Sequence, residues 1–208
     1  MTQRQSDSFT QEPPATTRAE ALKQATTVLH ANIDHAITGA RLFDNRERYS
    51  LMLKLQHEFQ WLASDLYQDS ALNEWLPGLG SRDRFPAIVQ DCRDMGVEPP
   101  ASQRQKLKVD VNDPASMARA LGWLYTIEGS TLGAAFLFKW AQELGLSGEF
   151  GAHYLAPDAE GRGLHWRKFV QQINEAPVSA EHEADVIAGA QEAFRTAFSI
   201  AEGLLAAN

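Results

Sequence analysis

Between Thr17 and Gly39 the apolar positions Leu22, Ala25, Leu29, Ile33 and Ile37 return every three or four residues, the spacing of one helical face, with Gly39 as a plausible stop. The pattern resumes from about Asn45 to Trp75 through Tyr49, Leu53, Phe59, Leu62 and Leu66, and Pro77-Gly78 ends it. A third helix is expected over roughly 82–95, capped by Gly96. Residues 96–112 are polar and proline-bearing and read as a long surface loop. Asp113-Pro114 then supplies an N-cap and a proline at the first helical position. The helix it starts is expected to run to about Leu144, closed by Gly145. A short helix over about 159–174 and a final one over about 179–206 complete the chain. No segment alternates with period two for long enough to make a strand, and no internal repeat is present. The expected fold is all-α and single-domain, with residues 1–16 as a flexible N-terminal tail and 17–208 as the helical domain.

One stretch breaks the rules of its own helix. Residues 122–134 carry Gly122, Gly129 and Gly133 inside a strong helical pattern. Each costs about 0.5–1 kcal/mol relative to alanine. Gly129 and Gly133 are four apart and share a face, with Ser130 and Ala134 beside them, so that face is almost bare. Two readings follow. Either another helix crosses closely here, or something flat lies against the exposed backbone.

The first helix carries a candidate metal ligand. His30 falls near the edge of the apolar face, and Lys23 lies two turns earlier on the same side, about 10 Å away along the axis. Thr26 sits between them. A neutral imidazole facing a pocket binds iron. A cation two turns away is placed to meet a carboxylate at the rim of a ligand centred on that metal, and haem has this shape. The bland reading is a half-buried structural histidine. His35 is the rival on the same helix but points away from Lys23. His57 stands beside Glu58 without a recognisable metal spacing. His153, His165 and His182 lie in or near loops or on a polar helix face. No His-x-x-x-His or Glu-x-x-His spacing supports a zinc or di-iron site.

Composition narrows the picture further. The 208 residues are 44% hydrophobic, enough for one sizeable core, and the formal net charge is −8. That balance argues against nucleic acid and against an anionic membrane surface as partners. The single cysteine, Cys92, excludes an intramolecular disulfide, fits a reducing cytoplasm and reads as a buried structural residue. The N-terminal segment has no apolar core of signal-peptide length, and no run of about 18 apolar residues occurs.

The segment Ala21-Leu22-Lys23-Gln24-Ala25-Thr26-Thr27-Val28-Leu29-His30 resembles the proximal-helix motif of the haem oxygenase family. Glu128-Gly129-Ser130-Thr131-Leu132-Gly133-Ala134-Ala135-Phe136-Leu137 resembles its glycine-rich distal helix, in the version of bacterial haem-degrading members. Phe43 to Phe59 with Tyr49, and Trp166, Phe169 and Asn174, are similar to the family's second segment and late helix. The resemblance runs from about residue 18 to near the end.

It implies a haem oxygenase-like helical bundle that cleaves haem with oxygen to biliverdin, CO and free iron. Haem would be substrate and cofactor at once. His30 would ligate the iron. Gly129 and Gly133 would let the distal helix press on the haem and crowd oxygen toward one meso carbon. Ser130 stands where animal members carry an aspartate, so it would order water without acting as a carboxylate. Lys23 matches the basic residue of the animal proximal helix, whereas Lys139 resembles a lysine with which some bacterial members hold haem in a rotated seat. Which of the two binds decides the biliverdin isomer. Thr26, Tyr125 and Phe169 are the remaining expected substrate contacts. No flavin or nicotinamide glycine motif is present, so electrons would come from a ferredoxin or a flavoprotein reductase. The product would serve iron supply or a biliverdin acceptor such as a photoreceptor.

Three other readings compete. A non-catalytic haem-binding or haem-sensing protein on the same fold would keep His30 but has no need of a bare distal face. A structural helical domain leaves both motifs as coincidence. A thiaminase-like or di-iron enzyme would need a nucleophilic cysteine in a pocket or a carboxylate–histidine cluster.

Overall fold

The computed structural model describes residues 16–99 and 101–207, so the expected N-terminal tail lies almost wholly outside the described residues. Helix α1 spans Arg18–Gly39. Thr17 and Glu20 close a reciprocal capping box at its start: the Thr17 N–H donates to Glu20 Oε2 at 2.9 Å, and the Glu20 N–H donates to Thr17 Oγ1 at 3.3 Å. Helix α2 is Arg46–Gln68, capped by the Asn45 side chain.

The helix expected over 45–75 is two helices. Asp69 adopts extended dihedrals and its carboxylate accepts the Leu72 N–H at 2.9 Å, which starts α3 (Ser70–Trp75) as an N-cap. Helix α4 (Phe85–Asp94) begins later than expected, because Leu79–Arg82 forms a separate 3₁₀ turn. Helix α5 is Pro114–Glu143, with Asp113 Oδ1 accepting the Ala115 N–H and Gly145 turning the chain at φ 73°. Helix α6 is Arg162–Glu175, and a 3₁₀ turn at Ala180–His182 leads into α7 (Glu183–Ala206). The described residues contain no strand, only isolated bridges from Ser147 to Phe150 and Gly151.

Helix α7 is the spine on which α1 and α5 are both mounted. Glycines set the α5–α7 crossing. A Cβ at Gly122 would stand 2.0 Å from the Val186 carbonyl oxygen, and one at Gly189 would stand 2.1 Å from that of Arg119. Only a residue without a side chain permits such an approach. Thr126 Oγ1 then donates to the Ala190 carbonyl at 3.2 Å. Helix α1 lies alongside α7: Arg18 pairs with Glu183 at 2.6 Å, Gln191 Nε2 donates to the Ala25 carbonyl at 3.2 Å, and His30 meets Phe194 at 5.7 Å between ring centroids.

The main core lies among α1, α2, α5, α6 and α7, around Leu22, Phe59, Leu121, Phe169 and Val186. A second apolar cluster joins α2, α4 and residues 146–155 through Tyr49, Met52, Ile88, Cys92 and Leu155. Among the described residues no helix is long and apolar enough to cross a membrane.

Candidate active site: helices α1 and α5

Helix α1 supplies one wall. The His30 side chain is 60% exposed, and its Nδ1 lies 2.8 Å from Asp34 Oδ2, one turn further on. With Nδ1 beside a carboxylate, Nε2 is the ring nitrogen left for a metal. Phe194 of α7 backs the ring. Lys23 is exposed and lies on the same side of α1 by helical spacing. Thr26 is buried and its hydroxyl donates to the Leu22 carbonyl at 2.7 Å, so its proton is used within α1. His35 is exposed, about 140° round the helix from His30.

Helix α5 supplies the other wall. Tyr125, Gly129, Gly133, Phe136 and Trp140 are spaced to form one stripe. At one end of it the largely buried Tyr125 hydroxyl reaches the Ala19 carbonyl of α1 at 3.5 Å, which brings the two walls together. Burial pushes the Tyr125 pKa up. Further along, the stripe is uncovered. A Cβ at Gly133 would meet nothing within 4 Å, and one at Gly129 would meet only the Trp166 ring, at an ordinary 3.5 Å. Phe136 is 69% exposed. The close helix crossing is therefore made by Gly122, while Gly129 and Gly133 answer to nothing in the fold itself. Lys139 is exposed on the flank of the stripe. Phe169 is fully buried under Trp166, with the Arg82 guanidinium 5.2 Å from its ring centroid; it is a core residue, and Trp166 rather than Phe169 stands beside Gly129.

A polar layer lies behind α5. Ser130 Oγ donates to the Ile127 carbonyl at 2.6 Å and lies 3.4 Å from the buried Tyr154 hydroxyl, to which Gln60 Nε2 of α2 donates at 3.0 Å. Glu128, adjacent to Gly129, is buried and engages Arg82 at 2.8 Å, Tyr67 at 2.9 Å and His165 at 3.5 Å. Burial and the Glu128 charge hold the Tyr67 hydroxyl well above its ordinary pKa. Sequence reasoning missed Asp34, Phe194, Gln60, Tyr154 and the Arg82–Glu128 pair. Asp34 was within reach, since a carboxylate four residues after a candidate ligand shares its helix face.

Asp91, Asp94 and His153 cluster closely enough to suggest a metal. Their geometry has another use. Asp91 accepts the N–H groups of His153 and Tyr154, and Asp94 accepts the Gly151 N–H and faces His153 Nε2 at 3.0 Å, so the pair clamps residues 151–154 to α4. Cys92 is buried, and burial together with the neighbouring Asp91 pushes its thiol up to about 11, the opposite of an activated nucleophile.

The all-α fold thus carries an exposed histidine–carboxylate pair on α1 and a bare glycine stripe on α5, both on helices packed against α7. The chain belongs to the haem oxygenase family, whose model, described as Heme oxygenase, matches residues 16–202. It is 35% identical over 177 residues to the heme oxygenase PigA of Pseudomonas aeruginosa, covering 85% of this chain and 87% of that one. It is 34% identical over 133 residues to a heme oxygenase of Xanthomonas campestris pv. campestris, covering 61% and 74%. Among solved structures it resembles the NO- and CO-bound heme oxygenase of Neisseria meningitidis, with TM-score 0.85, 39% identity and 92% and 94% of the two chains covered. Heme oxygenase 2 of Chlamydomonas reinhardtii, solved without heme, shares the fold at TM-score 0.67 and 18% identity, with 90% and 97% covered. The expected all-α, single-domain haem oxygenase-like fold is the one observed, and the chain is an enzyme that degrades haem.

Proposed function

We propose that the chain seats haem between α1 and α5, with iron on His30 Nε2, and opens the porphyrin to biliverdin, CO and free iron with electrons from a ferredoxin or a flavoprotein reductase. The reading rests most on Gly129 and Gly133, two helix-interior glycines that no neighbouring residue requires. A helix backbone laid bare on the open side of a cleft suits a planar substrate.

The residues fit that substrate. His30 would fix the position of the metal, and Asp34 would fix the orientation and basicity of His30. Bound haem would supply the iron chemistry, and His30 would give it a neutral imidazole, a weaker electron donor than a thiolate. The glycine stripe would hold the distal backbone against one face and leave oxygen room toward a single edge. Ser130 would order water beside that edge. Lys23 or Lys139 would bind the propionates and so set the rotation, and Tyr125 would support the same rim. The protein's contribution is mainly orientation, with the electrons supplied from outside.

The test is an absorption titration of the purified protein with haemin, followed by ascorbate or a ferredoxin system in air. The expected result is a sharp Soret band that bleaches as biliverdin appears. A Soret band that survives both reductants would favour a haem binder or sensor on the same fold. No Soret band would remove the reading.

A further inference from the structure

Ser130 faces two sides of α5. At 100° per residue it lies about 60° from Gly133, toward the cleft, and about 40° from Ala134, whose flank looks away from it. On that far flank α5 and residues 154–162 enclose a small polar pocket lined by Arg84, Thr131, Tyr154, Asp158, Arg162 and His165. Tyr154 is the residue common to this pocket and to Ser130.

The polarity of its hydrogen bonds has a direction. Gln60 Nε2 donates to the Tyr154 hydroxyl, so the tyrosine oxygen is used as an acceptor and its own proton is left for Ser130 Oγ, 3.4 Å away. Ser130 in turn donates to the Ile127 carbonyl at 2.6 Å. The chain thus runs from Gln60 to Tyr154 to Ser130 and ends on a proton that a rotation of the serine would swing into the cleft. Burial raises the Tyr154 pKa, which keeps that hydroxyl a donor. Gln56, one turn before Gln60 on α2, has a buried Oε1 that accepts no hydrogen bond from the protein. An acceptor in that state calls for water.

We propose that Tyr154 is a positioning residue for proton supply to the cleft: it donates to Ser130 and links it, through α5, to the polar pocket on the far side. The proposal rests on the reading of the cleft as the haem site and adds a specific route by which that site is fed.

Tyr154→Phe keeps the ring and removes only the hydroxyl. It is expected to bind haem with unchanged affinity, to lower kcat about tenfold, the worth of one hydrogen bond, and to change the solvent isotope effect on kcat. In the resting ferric complex it is expected to shift the pH-dependent absorption transition of the iron's water ligand, a signature that simple loss of packing would not move. Because Tyr154 acts through Ser130, Tyr154→Phe should add little once Ser130→Ala is present. Unchanged kcat, isotope effect and ferric transition, or fully additive effects in the double variant, would overturn the proposal while leaving haem degradation intact. Failure of the unaltered protein to take up haem would instead remove the cleft reading. Should Tyr154→Phe not fold, Gln60→Met strips Tyr154 of its donor from α2; the same losses in kcat and the same shifts would support the route, and their absence would overturn it.

Discussion

At the scale of single residues, His30 is informative because of what surrounds it. A lone histidine on a half-apolar helix face is ordinarily structural, and here it is largely exposed with only one nitrogen engaged, by Asp34. His30→Ala is therefore expected to abolish the sharp Soret band, whereas His35→Ala should leave it intact; the reverse pattern would move the ligand to His35. Asp34→Ala should retain the band but weaken haem affinity about tenfold, at the low end for losing a ligand's carboxylate partner. Normal affinity would mean that the pair is only a surface ion pair. Glu128 and Arg82 make the opposite kind of pair, both ends buried. Glu128→Ala strands a guanidinium inside the protein and should cost about 3–5 kcal/mol in chemical denaturation. A cost under about 1 kcal/mol would show that water reaches Arg82. That His30 and Lys23 leave α1 on the same side was legible from spacing along one helix. Tyr154, Gln60 and Arg82 were not, because they come from segments far apart in the chain and follow no period; only the fold brings them to α5.

At the scale of elements, the three glycines of α5 separate into two kinds that the sequence does not distinguish. Gly122 is demanded by the fold, since a methyl there would run into the Val186 carbonyl. Gly122→Ala should thus cost about 3 kcal/mol or more, at the upper end for overpacking, with the melting point as the readout. Gly133 is demanded by nothing inside the protein. Gly133→Ala should be neutral or slightly stabilising, by up to about 1 kcal/mol, and Gly133→Leu should fold normally, retain haem and lose turnover. Normal turnover in Gly133→Leu would sink the close-approach argument. Spacing alone left helix crossing and flat ligand as rivals for one motif; the structure puts the crossing at Gly122 and leaves Gly129 and Gly133 outside it. Most helices were legible because one apolar face repeats. The break at Asp69 was not, because one extended residue interrupts a face that continues in phase on both sides. Residues 121–128 of α5 are buried all round, so periodicity there says only that the segment is apolar, and its direction comes from tertiary contacts.

At the scale of the whole molecule, α7 carries both helices of the candidate site. Helices α1 and α5 are each fastened to α7, by the Arg18–Glu183 pair and the Gln191–Ala25 bond on one side and by the Gly122–Gly189 crossing on the other. Directly between the two walls, the polar link at the cleft's end is the long Tyr125–Ala19 contact. Phe136 and the glycine backbone beyond it face solvent. A flat ligand held by His30 on one wall and packed against α5 on the other would bridge what the protein leaves apart. Ligand that binds only the folded form adds about 2.7 kcal/mol at a hundredfold excess over Kd, or about 5–10 °C in Tm for a domain of this size. Haemin is accordingly expected to raise the melting temperature by that amount in the unaltered chain and by much less in His30→Ala. The gain should also appear as slowed amide exchange along both walls, in α1 near His30 and in α5 from Gly129 onward, and not only near the histidine. Protection confined to α1 would mean that haem binds the proximal wall alone, and the glycine stripe would then need another partner. Protection on both walls, lost together in His30→Ala, is the outcome expected of one ligand closing one cleft.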